Sequence, residues 1–184
     1  MNLLKTYTPE VGSLTRELPI IPISDTLSIA SFVLLGDTEM VCEAAPLVAE
    51  KLPAVDVLIT AEAKGIPFVH ELSKHLNMSR YIVARKSVKA YMEDPLMTTV
   101  HSITTQKEQF LCLDRLDAEF IKGKRVALID DVISSGESLR ALAKLVNSAG
   151  ANIVAQAAVL AEGDAANRDD IIFLEKLPLF PNEQ

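Results

Sequence analysis

Short apolar runs alternate with amphipathic stretches along most of the chain. The runs are rich in Val, Ile and Leu and lack a clean alternation with polar residues, which is typical of parallel strands buried on both faces. They predict strands at 55–61, 81–84, 110–113, 125–130 and 152–160, with 171–174 as a candidate edge strand. Helical patterns between them indicate βαβ units. The chain is therefore predicted to have an α/β fold with a mostly parallel central sheet flanked by helices.

Three segments carry the period of an amphipathic helix. Residues 137–149 form the strongest pattern, which stops at Gly150, a residue suited to ending a helix. Residues 65–76 also have an apolar face, and their proline is tolerated because it falls in the first turn. Residues 39–52 are helical in pattern, although Pro46 is expected to kink the helix or to start a new one.

The two ends of the chain are interpreted as a small irregular hood. Residues 1–38 are apolar in places but are interrupted by prolines, and with 163–184 they would cap a core of about residues 39–162. A chain of 184 residues fills one hydrophobic core well and is short for two. A single domain over 1–184 is therefore expected.

A long excursion is predicted over residues 86–109. This stretch is polar, has a turn signal at Asp94-Pro95 and offers only a doubtful strand at 98–104. Because it has little apolar surface to bury on its own, we expect a mobile lid.

Composition excludes several classes of protein. Apolar residues make up 49% and charged residues 23% of the chain, as in a globular protein, and the net charge of −7 repels a nucleic-acid backbone. No stretch approaches the length of apolar sequence needed to span a bilayer. Both cysteines fall in helical or apolar segments and are interpreted as reduced thiols. We therefore expect a cytoplasmic protein that binds neither nucleic acid nor membrane.

The most informative residues follow the strand at 125–130. Asp130 and Asp131 end it, and the small polar residues Ser134, Ser135, Gly136, Glu137 and Ser138 lead into the next helix. A strand, a small polar loop and a helix N-terminus together form a phosphate cradle, because free backbone N–H groups and hydroxyls converge there. The plainer interpretation is that the serines cap the helix and the aspartates are solvated. Paired carboxylates at the carboxyl end of a parallel strand favour a ligand site.

The segment VALIDDVISSGES, residues 126–138, resembles the phosphoribosyl pyrophosphate (PRPP) signature of the type I phosphoribosyltransferases. The resemblance implies their fold. It also implies that Asp130 and Asp131 are the catalytic carboxylates that hold the ribose hydroxyls, and that residues 134–138 bind the 5′-phosphate.

Two upstream motifs strengthen this resemblance. Glu62-Ala63-Lys64-Gly65 is similar to the pyrophosphate-binding loop of the adenine enzymes, with Lys where Arg is usual. Arg85 and Lys86 resemble the Arg-Lys pair that precedes their flexible loop and would face the pyrophosphate. The likeness covers about residues 55–162 and is closest to the adenine and xanthine phosphoribosyltransferases and to the related purine-repressor domain.

The implied activity is transfer of phosphoribosyl from PRPP to a purine, with adenine the first choice and xanthine the second, by a homodimer. Mg²⁺ is the implied cofactor, held mainly by substrate and water without a protein cage. One departure concerns the glutamate of the returning loop in adenine enzymes, where this chain has Thr104 or Thr105, with Glu108 nearby. A PRPP-sensing regulator without transferase activity is therefore the alternative, and guanine or hypoxanthine also stays open as the base.

Overall fold

The computed structural model describes residues 5–100 and 109–182. Its strands are β1 (Thr6–Tyr7), β2 (Glu10–Val11), β3 (Leu14–Thr15), β4 (Leu18–Pro22), β5 (Leu27–Ala30), β6 (Val57–Ala61), β7 (Ile82–Ala84), β8 (Leu96–Val100), β9 (Gln109–Leu113), β10 (Arg125–Ile133), β11 (Asn152–Glu162), β12 (Glu175–Leu177) and β13 (Leu179–Pro181). Its helices are α1 (Thr38–Ala49), α2 (Ile66–His75), α3 (Arg115–Ile121) and α4 (Glu137–Ser148), and a short 3-10 helix spans Gly163–Asn167.

Five parallel strands form the central sheet, in the order β12-β11-β10-β6-β7. Both of its faces are covered. Alternate residues of β10 show this, since Ala127 and Ile129 pack with α1 and α2 in one apolar cluster, whereas Val126 and Leu128 pack with α4 in the other. The predicted α/β architecture, a mostly parallel sheet between helices, is confirmed.

The hood is a regular antiparallel sheet in the order β1-β4-β5-β13, with a separate β2–β3 hairpin beside it. The predicted hood is present and is built from regular strands; β4, which lies between β1 and β5, contains Pro19 and ends at Pro22. Residues from both ends of the chain meet here. β13 pairs with β5, and the Ser28 hydroxyl donates to Asn182 Oδ1 at 2.6 Å.

The segment before α3 contains a two-stranded antiparallel ladder, β8 with β9. Residues 110–113 were expected within the parallel sheet, and this was wrong. Leu111, Cys112 and Leu113 are buried, and the apolar run therefore indicates burial without indicating which sheet the strand joins. The doubtful strand predicted at 98–104 coincides with β8 at 98–100, but β8 begins earlier, at Leu96, and Thr98 within it is buried. Residues 101–108 of the predicted excursion lie outside the described part of the chain.

Helices α2 and α4 match their predictions, and Pro67 lies in the first turn of α2. Helix α1 runs on through Pro46, so the proline starts no new helix. Helix α3 was not predicted, because only one of its seven residues is buried and its apolar pattern is weak. The candidate strand at 171–174 is reduced to a single bridge at Ile172, and the edge strand is β12 instead.

Among residues 5–100 and 109–182, no helix is long and apolar enough to cross a membrane.

Candidate active site

A cavity of about 500 Å³ opens where the carboxyl ends of β6 and β10 face the hood. Parallel strands end at the same edge of a sheet, which is where open α/β folds bind ligands. Hood residues 29–33 and Leu177 form one wall, and residues 61–64 of the loop after β6 form another. Asp130 and Asp131 line the wall between them. The cavity therefore joins segments that are far apart in the sequence.

The two aspartates lie inside β10, which continues to Ile133, beyond its predicted end at Asp130. The Asp131 side chain is 1% exposed, and Lys64 Nζ lies 3.0 Å from its Oδ2. That oxygen has no hydrogen-bond partner among the described residues, because the angle to Lys64 is not that of a hydrogen bond. Asp131 Oδ2 thus has a neighbouring positive charge but no donor.

The surroundings of Asp130 favour the neutral form of its carboxyl group. Burial, followed by the charge of Asp131, raises the pKa of Asp130 from 3.8 to about 7. Its Oδ1 accepts a hydrogen bond of 2.9 Å from the Asp131 backbone N–H. Two adjacent carboxyl groups in a largely enclosed site favour a ligand that brings hydroxyl donors or a cation.

Residues 134–138 form the expected cradle at the start of α4. Asp130 and residues 132–139 line a recess of about 50 Å³, which adjoins the larger cavity through Asp130, Val132, Ser134 and Ser138. Gly136 is the N-cap residue of α4 and has a φ of +75°, a conformation that glycine adopts without strain. The Ser135 hydroxyl accepts a hydrogen bond of 3.4 Å from the Glu137 backbone N–H, in the first turn of the helix. Ser134 and Ser138 are exposed residues, and both also line the larger cavity.

The loop after β6 holds the predicted pyrophosphate residues. Glu62 Oε2 accepts from the Lys86 backbone N–H at 2.8 Å, and Oε1 accepts from Arg85 Nε at 3.1 Å. The Lys86 amide, helped by Arg85, lowers the pKa of Glu62. The Glu62–Ala63 peptide bond is cis. Glu62 therefore ties two loops together.

The other predicted residues of this group divide into two sets. Lys64 and Lys86 line the cavity, whereas the Arg85 guanidinium contacts Glu62 and donates to the Tyr91 hydroxyl at 3.1 Å. Gly65 lies behind the loop, where an added Cβ would come within 2.4 Å of Thr60 Oγ1. Close approach of the backbone explains why glycine is needed there.

Sequence reasoning missed Glu162, the last residue of β11, which lines the cavity and is half-buried. Desolvation raises its pKa, an effect that Lys64 opposes. A signal was present, since Glu162 directly follows an apolar strand at the same sheet edge as the aspartates. Phe32 and Val33 were missed because they follow the hood strand β5, which was not predicted. Residues 104, 105 and 108, where the loop glutamate was sought, lie outside the described residues.

A family model for the phosphoribosyl transferase domain matches residues 47–178. The chain is 32% identical to a hypoxanthine/guanine phosphoribosyltransferase of Methanotorris igneus, over 85% of this chain and 79% of that enzyme. It is 30% identical to an adenine phosphoribosyltransferase of Thermosipho africanus, over 89% of this chain and 93% of that enzyme. A match of 34% identity to the hypoxanthine/guanine phosphoribosyltransferase of Methanococcus voltae spans only 57% of that relative.

Solved structures show the same fold. The adenine phosphoribosyltransferase of Thermoanaerobacter pseudethanolicus superposes with a TM-score of 0.69 at 22% identity, over 86% of this chain and 95% of that one. The Saccharomyces cerevisiae enzyme, crystallised with adenine and an imino-altritol bisphosphate, gives 0.65 at 21% identity, over 85% and 92%. The expected type I phosphoribosyltransferase fold is thereby confirmed. With a family model that covers most of its length, this chain belongs to the phosphoribosyltransferases of the purine kind.

Proposed function

We propose that this protein transfers phosphoribosyl from PRPP to a purine ring nitrogen and releases pyrophosphate, with adenine as the preferred base and xanthine as the second. One observation carries the proposal. A single cavity of about 500 Å³ brings together paired carboxylates, lysine side chains and apolar hood residues, and it adjoins the small recess at the N-terminus of α4. These are the groups that a ribose, a diphosphate, a 5′-phosphate and a purine ring each require.

Each part of PRPP has a matching part of the cavity. The recess at residues 134–138 would take the 5′-phosphate, because backbone N–H groups and the positive end of α4 favour a dianion. Asp130 and Asp131 would accept hydrogen bonds from the ribose hydroxyls. Lys64, whose Nζ lies 3.0 Å from Asp131 Oδ2, and Lys86 would face the diphosphate.

The carboxylates also fit Mg²⁺. The cation prefers oxygen ligands, and Asp131 Oδ2 is a buried carboxylate oxygen without a hydrogen-bond donor. Among the residues that the structure describes, no three His, Cys, Asp or Glu side chains form a metal cage, so substrate oxygens and water would complete the shell. When bound, Mg²⁺ would neutralise part of the diphosphate charge.

The chain's own contribution to the reaction is positioning and electrostatic. As the bond from C1 to the diphosphate breaks, positive charge develops on the ribose and negative charge on the leaving group. Lys64 and Lys86 would stabilise the departing diphosphate, while Asp130 and Asp131 would fix the ribose beneath the hood. The purine nitrogen would then form the new bond to C1 and release its proton.

The base side of the cavity supports adenine. Phe32 and Val33 of the hood and Leu177 of β12 would hold a flat ring, and Glu162, the register partner of Leu177, also lines the cavity. At C6, adenine offers an exocyclic amino donor to a carboxylate, whereas xanthine presents a carbonyl oxygen that a carboxylate repels. Similarity to the Thermosipho africanus adenine enzyme over 93% of its length adds further support.

The test is pyrophosphate release from PRPP and Mg²⁺ with adenine, xanthine, guanine or hypoxanthine in parallel. The highest kcat/KM is expected with adenine. The matched control is the double variant with Asp130→Asn and Asp131→Asn, which should bind no PRPP by calorimetry. A higher kcat/KM with a 6-oxopurine would overturn the choice of base. Tight PRPP binding without pyrophosphate release for any of the four would instead indicate a PRPP-sensing regulator.

A further inference from the structure

Two arginine side chains converge on Gly136, the residue that begins α4. A Cβ atom built on Gly136 would lie 3.1 Å from Arg168 Nη1 and 3.3 Å from Arg140 Nη1. Both guanidinium groups therefore reach the same point beside the phosphate recess. Gly136 is buried, and its positive φ and lack of a side chain leave room for both groups.

The charges of these arginines are unequally compensated. Arg168 makes a bidentate ion pair with Asp170, through hydrogen bonds of 2.8 and 2.7 Å. Arg140 Nη1 donates to the Ser135 carbonyl at 2.9 Å, and within residues 5–100 and 109–182 it pairs with no carboxylate. The positive charges of Arg140 and Arg168 repel each other at this distance. Together with the negative charge of Asp170, they leave the cluster with one net positive charge. An anion placed beside them would relieve the repulsion.

The two arginines come from different parts of the fold. Arg140 lies in the first turn of α4, whereas Arg168 directly follows the short helix Gly163–Asn167 that leads back toward the hood. Neither belongs to the residues 134–138 that line the recess, so neither was expected from the sequence. They meet beside Gly136, which lines the recess, and this meeting is a product of the tertiary structure.

We propose that Arg140 and Arg168 complete the 5′-phosphate subsite, as an outer pair of guanidinium groups opposite the backbone N–H groups of residues 134–138. This rests on the proposed function, which assigns that recess to the 5′-phosphate. Guanidinium groups bind phosphate oxygens through charge-assisted hydrogen bonds, and their planar fork suits a tetrahedral dianion. The pair gives the enzyme a preference for a phosphorylated ribose over an unphosphorylated one.

The experiment measures dissociation constants of ribose 5-phosphate, PRPP with Mg²⁺, and inorganic pyrophosphate for the full chain by calorimetry. The variants are Arg140→Gln and Arg168→Gln, with Arg140→Lys and Arg168→Lys as versions that keep the charge. Arg115→Gln is the matched control, since Arg115 is an exposed ion-paired arginine on α3. Each Gln variant should weaken ribose 5-phosphate and PRPP about tenfold or more, as expected for a lost hydrogen bond to a charged group.

Pyrophosphate affinity should stay within about twofold of wild type in every variant, and each Lys variant should recover part of the loss. Unchanged ribose 5-phosphate binding in both Gln variants would overturn the inference while leaving the proposed function intact. Equal weakening of pyrophosphate and ribose 5-phosphate, without recovery in the Lys variants, would show that the arginines only support the loop and would also overturn it. If wild type binds neither PRPP nor ribose 5-phosphate, the proposed function itself fails.

Discussion

Replacing Asp130 with Asn should stabilise the ligand-free protein while abolishing PRPP binding. Asn has nearly the shape of Asp and keeps an oxygen to accept the Asp131 backbone N–H that now donates to Asp130 Oδ1. It removes a carboxyl that the fold holds beside a second carboxyl in a largely enclosed site. The folded protein would no longer have to accommodate that negative charge.

The size of the effect follows from the pKa of Asp130, which burial and Asp131 raise from 3.8 to about 7. A shift of this size corresponds to an upper limit of about 4 kcal/mol, at about 1.4 kcal/mol per pH unit. Water in the cavity screens these charges and lessens the cost, so about 2 kcal/mol is expected. Because this pKa is raised, the wild type is penalised least below pH 4 and loses stability as pH rises toward 7.

Urea denaturation of both proteins at several pH values measures this difference. The Asn variant should gain little at pH 4 relative to wild type, and the gain should grow until about pH 7 and then level off. Asp25→Asn is the control, since Asp25 is exposed in the turn between β4 and β5. An equal difference between Asn variant and wild type at pH 4 and pH 8 would refute the reasoning, as would PRPP affinity unchanged from wild type.

Two further predictions concern the diphosphate side of the cavity. Lys64→Ala and Arg85→Ala should each weaken the binding of pyrophosphate about tenfold, and the binding of a nucleoside monophosphate much less. The reason is that Lys64 lines the cavity and Arg85 holds Glu62. Equal losses of affinity for both ligands in calorimetry would contradict the assignment. Trypsin cleavage after Lys86 and Lys89, followed by mass spectrometry, should be clearly slower with Mg²⁺ and PRPP than without ligand or with PRPP alone. Closure of the predicted lid would bury these cleavage sites. Equal cleavage rates under all three conditions would contradict the lid hypothesis.

The parallel sheet could be predicted from the sequence because its strands are buried on both faces and therefore read as continuous apolar runs. β10 and β11 are the best examples. The hood could not, because strands of two to five residues with prolines give too short a pattern to distinguish from irregular structure. β8 was predicted only in part, as the doubtful strand at 98–104, because polar residues such as Thr98 are buried there.

The candidate site divides in the same way. Residues 130–138 are consecutive, so one motif names both the carboxylates and the phosphate recess. Arg140 follows the motif directly on α4, whereas Glu162 and Arg168 come close to it only through the pairing of β10 with β11 and the return of the chain after β11. A local sequence pattern cannot predict such long-range contacts. The predicted roles of the motif residues stay predictions until ligand binding is measured.

The pairing of β13 with β5 sets an order on synthesis at the ribosome. Ser28 and its partner Asn182 are 154 positions apart. One edge of β5 therefore stays unpaired until β13 has emerged, which is near the end of the described chain. The half of the cavity at residues 130–138 depends only on strands made earlier and can assemble first. A nascent chain that lacks β13 would thus hold the half of the cavity proposed for the ribose phosphate, without the finished hood proposed for the purine. Its open β5 edge would meanwhile be exposed to pairing with other chains.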